Sequence, residues 1–296
     1  MLMRTGDIKP TYTDFRTVAR ALTLVENDLP GAEKLLKSLQ FDKSTPIIGI
    51  TGPPGAGKST LVNALVDELV KKGRTVAVLA IDPTSPFNFG SLLGDRIRMV
   101  NHFNHPGVFI RSLATRGSLG GLSAKTIEMA DVLRASGFDY VIIETVGVGQ
   151  SEIEIAGLAD ITFVVLVPES GDEIQNIKSG LMEIADAFII NKADRADADL
   201  FTNNLKKIIQ QKGSDDLPVF KTVASQGQGI DAVAEFIFTK PDLKSKRKSI
   251  LLTEKAYKII QQRRMADVDK KKLQQNIAEA SVKPGFNLYS FIESFL

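Results

Sequence analysis

The alternation of apolar and polar positions divides the chain into three stretches. Over residues 13 to 39 the apolar residues Phe15, Val18, Ala19, Leu22 and Val25, then Ala32, Leu35, Leu36 and Leu39 beyond Pro30-Gly31, recur at three- and four-residue spacing. Each set forms one stripe on a helix, and the Pro-Gly break between them predicts a helical hairpin packed against a main body. From residue 46 the pattern changes. Short apolar runs, Pro46 to Thr51, Thr75 to Ile81, Val108 to Arg111, Tyr140 to Glu144, Ile161 to Val167, Ala187 to Asn191 and Val219 to Val223, alternate with helical stretches such as Thr60 to Val70. This alternation predicts an α/β fold with a mostly parallel sheet, helices on both faces, and ligands at the carboxyl ends of the strands. After residue 239 the pattern is helical again. Lys240, Lys244, Lys246, Arg247 and Lys248 around Pro241 read as a solvated linker, a long helix starts near Ile250, and Pro284-Gly285 precedes an apolar tail. That tail, Phe286, Leu288, Tyr289, Phe291, Ile292, Phe295 and Leu296, needs burial on the body or on a second subunit.

The candidate chemistry begins where the first strand ends. Gly52-Pro53-Pro54-Gly55-Ala56-Gly57-Lys58-Ser59, followed by Thr60, fits the phosphate-loop pattern GxxxxGK[ST] and sits between a strand and a helix, the context that motif needs. Its glycines let backbone N–H groups close on phosphate, the helix N-terminus favours negative charge, Lys58 reaches the outer phosphates, and Ser59 would offer its hydroxyl to Mg²⁺. Asn191-Lys192-Ala193-Asp194, at the end of the sixth run, fits NKxD. A carboxylate at Asp194 accepts both the N1–H and the exocyclic amine of guanine, and a site built on such pairing rejects the analogue lacking it by as much as ~10⁴-fold. GTP and GDP are therefore the expected ligands, with Ala224-Ser225 as the loop backing the base. Asp82, Asp95 and Glu144 are the acidic candidates for Mg²⁺, which takes hard oxygen ligands. Lys58, Asp82 and Glu144 form the expected catalytic set. Glu144-Thr145-Val146-Gly147 stands where many GTPases carry DxxG, and Gly147 is placed to offer its N–H to the γ-phosphate. Val148 follows, where Ras-like enzymes carry a water-orienting Gln, so slow intrinsic hydrolysis is expected; Gln150 is displaced by two positions.

Composition narrows the partners. The 296 residues carry a net charge of +2, which gives no bulk electrostatic ground for nucleic acid or an acidic membrane. The absence of cysteine excludes disulfides, thiolate metal ligation and cysteine nucleophiles. Nickel favours imidazole and thiolate, and His102 and His105, expected on a surface loop, are too few for a dedicated nickel site. With neither a leader-like N-terminus nor an apolar run of membrane-spanning length, a cytoplasmic location is expected, without nucleic acid or membrane as partner.

The segments GPPGAGKST, AIDPTSP, GSLLGDRIRM, RSLATRGSLGG, ETVGVGQSE, SGDEIQNIKSG and NKAD closely resemble the MeaB/ArgK family of G proteins. The resemblance implies a phosphate-loop G domain of the SIMIBI type, similar to the nickel-chaperone and signal-recognition GTPases. It also implies a homodimer built through C-terminal helices. The expected organisation is a helical extension over 1–45, a GTPase domain over 46–238 and a dimerisation segment over 239–296. Family members bind adenosylcobalamin-dependent acyl-CoA mutases, chiefly methylmalonyl-CoA mutase, gating cobalamin loading and protecting or reactivating the mutase. An older family label, ATPase or kinase of a lysine/arginine/ornithine transport system, supplies the alternative reading. By motif, Glu169 to Lys178 is implied to be a further switch touching the mutase, with Lys178 as its responsive charge. The chain departs from the family at Asn88-Phe89, where a small, glycine-bearing pair is usual, and at Glu169, where Gly is usual.

Overall fold

A computed structural model describes residues 8–41, 45–82, 99–102, 104–114, 124–145, 147, 155–169, 181–211, 217–239 and 245–295. Among the described residues, seven strands form one sheet: β1 (Ile47–Thr51), β2 (Val76–Asp82), β3 (Val108–Ala114), β4 (Tyr140–Glu144), β5 (Ile161–Leu166), β6 (Ala187–Ile190) and β7 (Val219–Lys221). Their spatial order is β3-β2-β4-β1-β5-β6-β7, and every pairing is parallel. β1 therefore occupies the centre. The chain builds outward on one side of it and then crosses to the other, so the carboxyl ends of β4, β1 and β5 flank the crevice where such sheets take ligands.

The strands read as continuous apolar runs because both faces are covered. Ile47 faces one core, with Leu79, Val141 and Phe138, while Ile48 and Ile50 face the other, with Leu61, Leu65 and Phe163. Among the described residues, the α-helices longer than a single turn are α1 (Phe15–Glu26), α2 (Ala32–Ser38), α3 (Lys58–Lys71), α4 (Ala124–Ala135), α5 (Ala198–Gln211), α6 (Ile230–Thr239), α7 (Ser245–Arg264), α8 (Lys270–Ser281) and α9 (Leu288–Ile292). α1, α2 and α4 cover the first face, α3 and α6 the second, and α5 packs with β5 and β6 in a third cluster. The expected strands agree with the observed ones to within a few residues. The largest differences are at β3, which continues to Ala114, and at β7, which stops at Lys221 because Val223 bridges Gln228 instead.

The N-terminal hairpin forms as its pattern predicts. Asp14 caps α1 by accepting from the Arg16 N–H at 3.0 Å, and Val18, Ala21, Leu22, Leu24 and Val25 are buried. Aromatic rings fasten the hairpin to the sheet: Phe15 meets Phe109 at 5.6 Å and Phe138 at 6.2 Å, and Tyr12 meets Phe138 at 6.1 Å. Arg111 on β3 adds an ion pair to Glu26 at 2.5 Å.

The C-terminal stretch differs from expectation in two ways. The helix begins at Ser245, so Lys246, Arg247 and Lys248 belong to α7 and not to a linker. It is not one long helix either, because Asp269 accepts from the N–H groups of Lys271 and Lys272 at 2.8 and 3.1 Å and so starts α8 afresh. In the apolar tail Leu288, Tyr289, Ile292 and Phe295 are exposed on this chain, Tyr289 to 78%, and Phe291 packs on Phe286 and Phe295. α7 itself rests on α4 and on the turn Ile155–Gly157. Its Lys255, only 8% exposed, lies 3.9 Å from Asp131 of α4. Burial pushes the Lys255 ammonium below its ordinary pKa and the Asp131 carboxyl above its own. No described helix is long and apolar enough to cross a membrane.

Phe138 is fully buried where hairpin and sheet meet. Phe138→Ala should lower the unfolding free energy by about 3–5 kcal/mol, read as a drop in urea midpoint with little change in slope.

Candidate nucleotide-binding site

Gly52 leaves the end of β1, and Gly52 to Gly57 curl ahead of Lys58, Ser59 and Thr60 in the first turn of α3. Lys58 is buried beneath this loop and donates from Nζ to the carbonyls of Gly52 at 2.8 Å and Pro53 at 2.9 Å. Gly57 carries φ +82°, and a Cβ there would lie 2.5 Å from Asn191 Nδ2, so both conformation and space demand glycine. The loop closes at the N-terminus of α3, where the helix dipole and inward-turned N–H groups favour an anion.

The end of β4 meets this loop from one side. Ser59 donates from Oγ to Glu144 Oε1 at 2.7 Å, both residues being buried. With its proton directed to the carboxylate, the hydroxyl oxygen presents its lone pairs elsewhere, an arrangement that suits a hard cation. Asp82 ends β2 on the same sheet edge, two residues beyond Ala80, which pairs with Glu144. Asp95 lies outside the described residues, as do Asn88-Phe89 and the segments 83–98, 115–123, 148–154 and 170–180, the last containing Lys178. Gly147 is buried with φ +82°; a Cβ there would fall 2.3 Å from Gly52 O and 2.5 Å from Lys58 Nζ. Only glycine lets this backbone approach the loop so closely.

From the other side come β6 and β7. Asn191, 2% exposed, donates from Nδ2 to Ala56 O at 2.9 Å and accepts at Oδ1 from Thr222 Oγ1 and from the Ala224 N–H, both at 3.1 Å. Lys192, at φ +55°, donates to Gly55 O at 2.7 Å. Asp194 and Ser225 are exposed beside buried Asn191 and half-buried Lys192. The structure therefore sorts the motif: Asn191 and Lys192 brace the phosphate loop, and Asp194 is exposed. Thr222 and the Ala224 N–H are the partners that sequence reasoning missed. Their one signal was a polar residue, Thr222, inside the apolar run of the seventh strand.

A family model described as methylmalonyl-CoA mutase-associated GTPase MeaB matches residues 18–280. The chain belongs to the MeaB family. Among its relatives, a Pyrococcus abyssi protein named a GTPase is 49% identical over 249 residues, covering 79% of this chain and 77% of that protein. The mouse mitochondrial protein named methylmalonic aciduria type A homolog is 39% identical over 187 residues, which are 63% of this chain but 45% of the mouse protein. The crystal structure of an LAO/AO transport system kinase superposes with a TM-score of 0.62 at 25% identity, covering 96% of this chain and 92% of that one. This MeaB-family protein is a GTPase on a phosphate-loop fold.

One further residue of the MeaB-family chain differs in setting from what the sequence suggests. His102 is not on the surface: it is 4% exposed, with Nε2 3.3 Å from Asp67 Oδ1 on α3, because the turn Val100–His102 packs its side chain inward. His105 accepts the Gly107 N–H at Nδ1, 3.1 Å away, and shapes the turn before β3. Among the described residues no three His, Cys, Asp or Glu side chains gather as a metal site. Glu169 is ion-paired with Arg195, the residue after Asp194, whose hydrogen bond holds the Glu169 carboxyl below its ordinary pKa. Asn191→Ala should leave Thr222, Ala224 N–H and Ala56 O without their buried partner and lower the unfolding free energy by about 2–3 kcal/mol, measured by urea denaturation in the absence of nucleotide.

Proposed function

We propose that this GTPase is a GTP-gated chaperone of an adenosylcobalamin-dependent acyl-CoA mutase, with methylmalonyl-CoA mutase as its client, acting in cofactor loading, protection and reactivation. The family description names that mutase, and the mouse relative's name refers to methylmalonic aciduria. The observation that carries the mechanism is the convergence of Glu144, Gly147 and Asn191 on one phosphate loop. In this reading Lys58 exchanges the Gly52 and Pro53 carbonyls for phosphate oxygens, and the loop from Gly52 to Ser59, with Thr60, holds the rest of the phosphate chain. Asp194 pairs with guanine while Lys192 and Ser225 flank the base. Ser59, Glu144, Asp82 and Asp95 supply oxygen ligands to Mg²⁺, which when bound neutralises charge developing on the phosphates. Gly147 offers its N–H to the γ-phosphate, so GTP and GDP are distinguished at the turn leading out of β4. Contacts of that kind order switch segments in the triphosphate state and release them after hydrolysis.

The proposed assembly is a homodimer formed by the C-terminal helices. Leu252, Tyr257, Ile260 and Met265 on and just after α7, together with the apolar tail, leave large side chains facing solvent. Exposed apolar clusters of this kind mark contact surfaces. A second reading, a kinase serving basic amino-acid transport, is supported by the name of the superposed crystal structure. The fate of a γ-phosphate label separates the two: free phosphate for the chaperone, phosphorylated protein for the kinase.

Steady-state phosphate release from GTP and ATP, with and without methylmalonyl-CoA mutase, tests the proposal. Slow GTP-selective release stimulated by the mutase is expected, whereas ATP use or indifference to the mutase would overturn it. Lys58→Ala should abolish nucleotide binding, and Asp194→Asn should reduce the preference for GTP over ATP by roughly 10²-fold or more.

A further inference from the structure

The strands β1 and β4 separate at their carboxyl ends, one entering the phosphate loop at Gly52 and the other running through Thr145 to Gly147. The Thr145 N–H still donates to Ile50 O at 3.0 Å, which adds one rung to the ladder. Thr145 Oγ1 then donates to Thr51 Oγ1, also at 3.0 Å. This side-chain bond lies at the fork itself. Thr51 and Thr145 are 0% and 1% exposed, so the bond is shielded from water and electrostatically stronger than one on the surface. One residue before Thr145, Glu144 accepts from Ser59; two residues after it, Gly147 lies against Gly52 O and Lys58 Nζ. The hydroxyl pair thus stands between the carboxylate on the metal side and the glycine on the phosphate side.

We infer that Thr145 is a positioning residue for GTP hydrolysis, its hydroxyl, held by Thr51, fixing the point from which the Gly147 N–H meets the γ-phosphate. The inference rests on the proposed role of Gly147. The side chain itself touches no phosphate: Lys58, Ser59 and the loop N–H groups carry those contacts. Its effect is geometric, and a misplacement of about 1 Å at a reacting centre can cost ~10²-fold in rate. GDP has no γ-phosphate and should be insensitive to the change. A purely structural role in holding β1 to β4 would weaken both nucleotides alike.

The test compares wild type, Thr145→Val, Thr145→Ser, Thr51→Val and the Val/Val double variant. For each, the affinities for GDP and for a non-hydrolysable GTP analogue are measured with Mg²⁺, alongside single-turnover GTP hydrolysis. Valine keeps the volume and β-branching and removes only the hydroxyl. Thr145→Val should hold GDP affinity within about twofold, weaken the analogue about tenfold and slow hydrolysis by roughly 10–10²-fold. Thr145→Ser should recover most of the loss. Thr51→Val should repeat it, and the double variant should be no worse than the poorer single one, as for two residues acting through one bond. Equal losses for GDP and the analogue, unchanged hydrolysis in a folded Thr145→Val, or multiplying single effects would each overturn the inference. Should Thr145→Val not fold, Thr51→Val carries the same comparison and decides it by the same outcomes. Wild-type protein that fails to distinguish the analogue from GDP would remove the role of Gly147, and the inference with it.

Discussion

Asn191 places one amide where three loops meet, and the geometry of the nucleotide site depends on how its hydrogen bonds are shared. Its Nδ2 holds Ala56 of the phosphate loop, while its Oδ1 holds Thr222 and the backbone of Ala224 beyond β7. Each bond adds about 1 kcal/mol net, but removing the amide would leave several polar groups buried without a partner, which is the larger effect. Because the junction is buried, the loop after β6 and the phosphate loop cannot shift independently without breaking one of these bonds. A ligand that orders one of them finds the other already placed.

The opposite flank is built differently. Lys192 and Asn191 grip the loop by its carbonyls at Gly55 and Ala56, whereas β4 meets it through Ser59 and through the backbone of Gly147. The Asn191 side is thus a fixed brace. The β4 side ends in a short backbone segment whose contacts bear on Lys58 and Ser59, the two side chains that a nucleotide and its cation would engage. Lys58 donates to the carbonyls of Gly52 and Pro53 in the buried loop, which hold its ammonium at the turn that leads into α3.

Much of this was legible in the chain because the governing constraints are local. Strands covered on both faces must be apolar throughout, and the loop's glycines are fixed by φ and by close approach, as at Gly57 and Gly147. What stayed hidden depends on contacts between distant residues. Asn191 and Asp194 belong to one motif, yet one is an architectural anchor and the other an exposed acceptor, a division that only the position of Ala56 reveals. Nothing near His102 in sequence marks it for burial, since its neighbour Asp67 lies on α3. The capping role of Asp269 was written in the chain, but an Asp inside a polar helical pattern reads equally well as part of one helix until its side chain is seen to turn back onto Lys271 and Lys272.

Lys255 shows how the C-terminal helix is held. The pair joins a buried Lys255 to a half-buried Asp131 at 3.9 Å, too long for a hydrogen bond, and burial displaces the Lys255 ammonium below and the Asp131 carboxyl above their ordinary pKa. Arg134 and Asp160 lie within reach of the same pair and balance its charges. The pair therefore contributes to the placement of α7 more than to its stability: an uncompensated Lys255 would be expelled from any other position along α4. Packing of Ile259 on the first core adds the attraction that the charges do not supply. α7 is seated on α4 and on the turn Ile155–Gly157, the elements that directly follow residues 115–123 and 148–154 in the chain. A rigid displacement of either support would carry α7 with it. The outward apolar residues Leu252, Tyr257 and Ile260 would then turn by the same rotation, so the orientation of that surface is set by a helix and a turn packed on the sheet and not by the C-terminal segment alone.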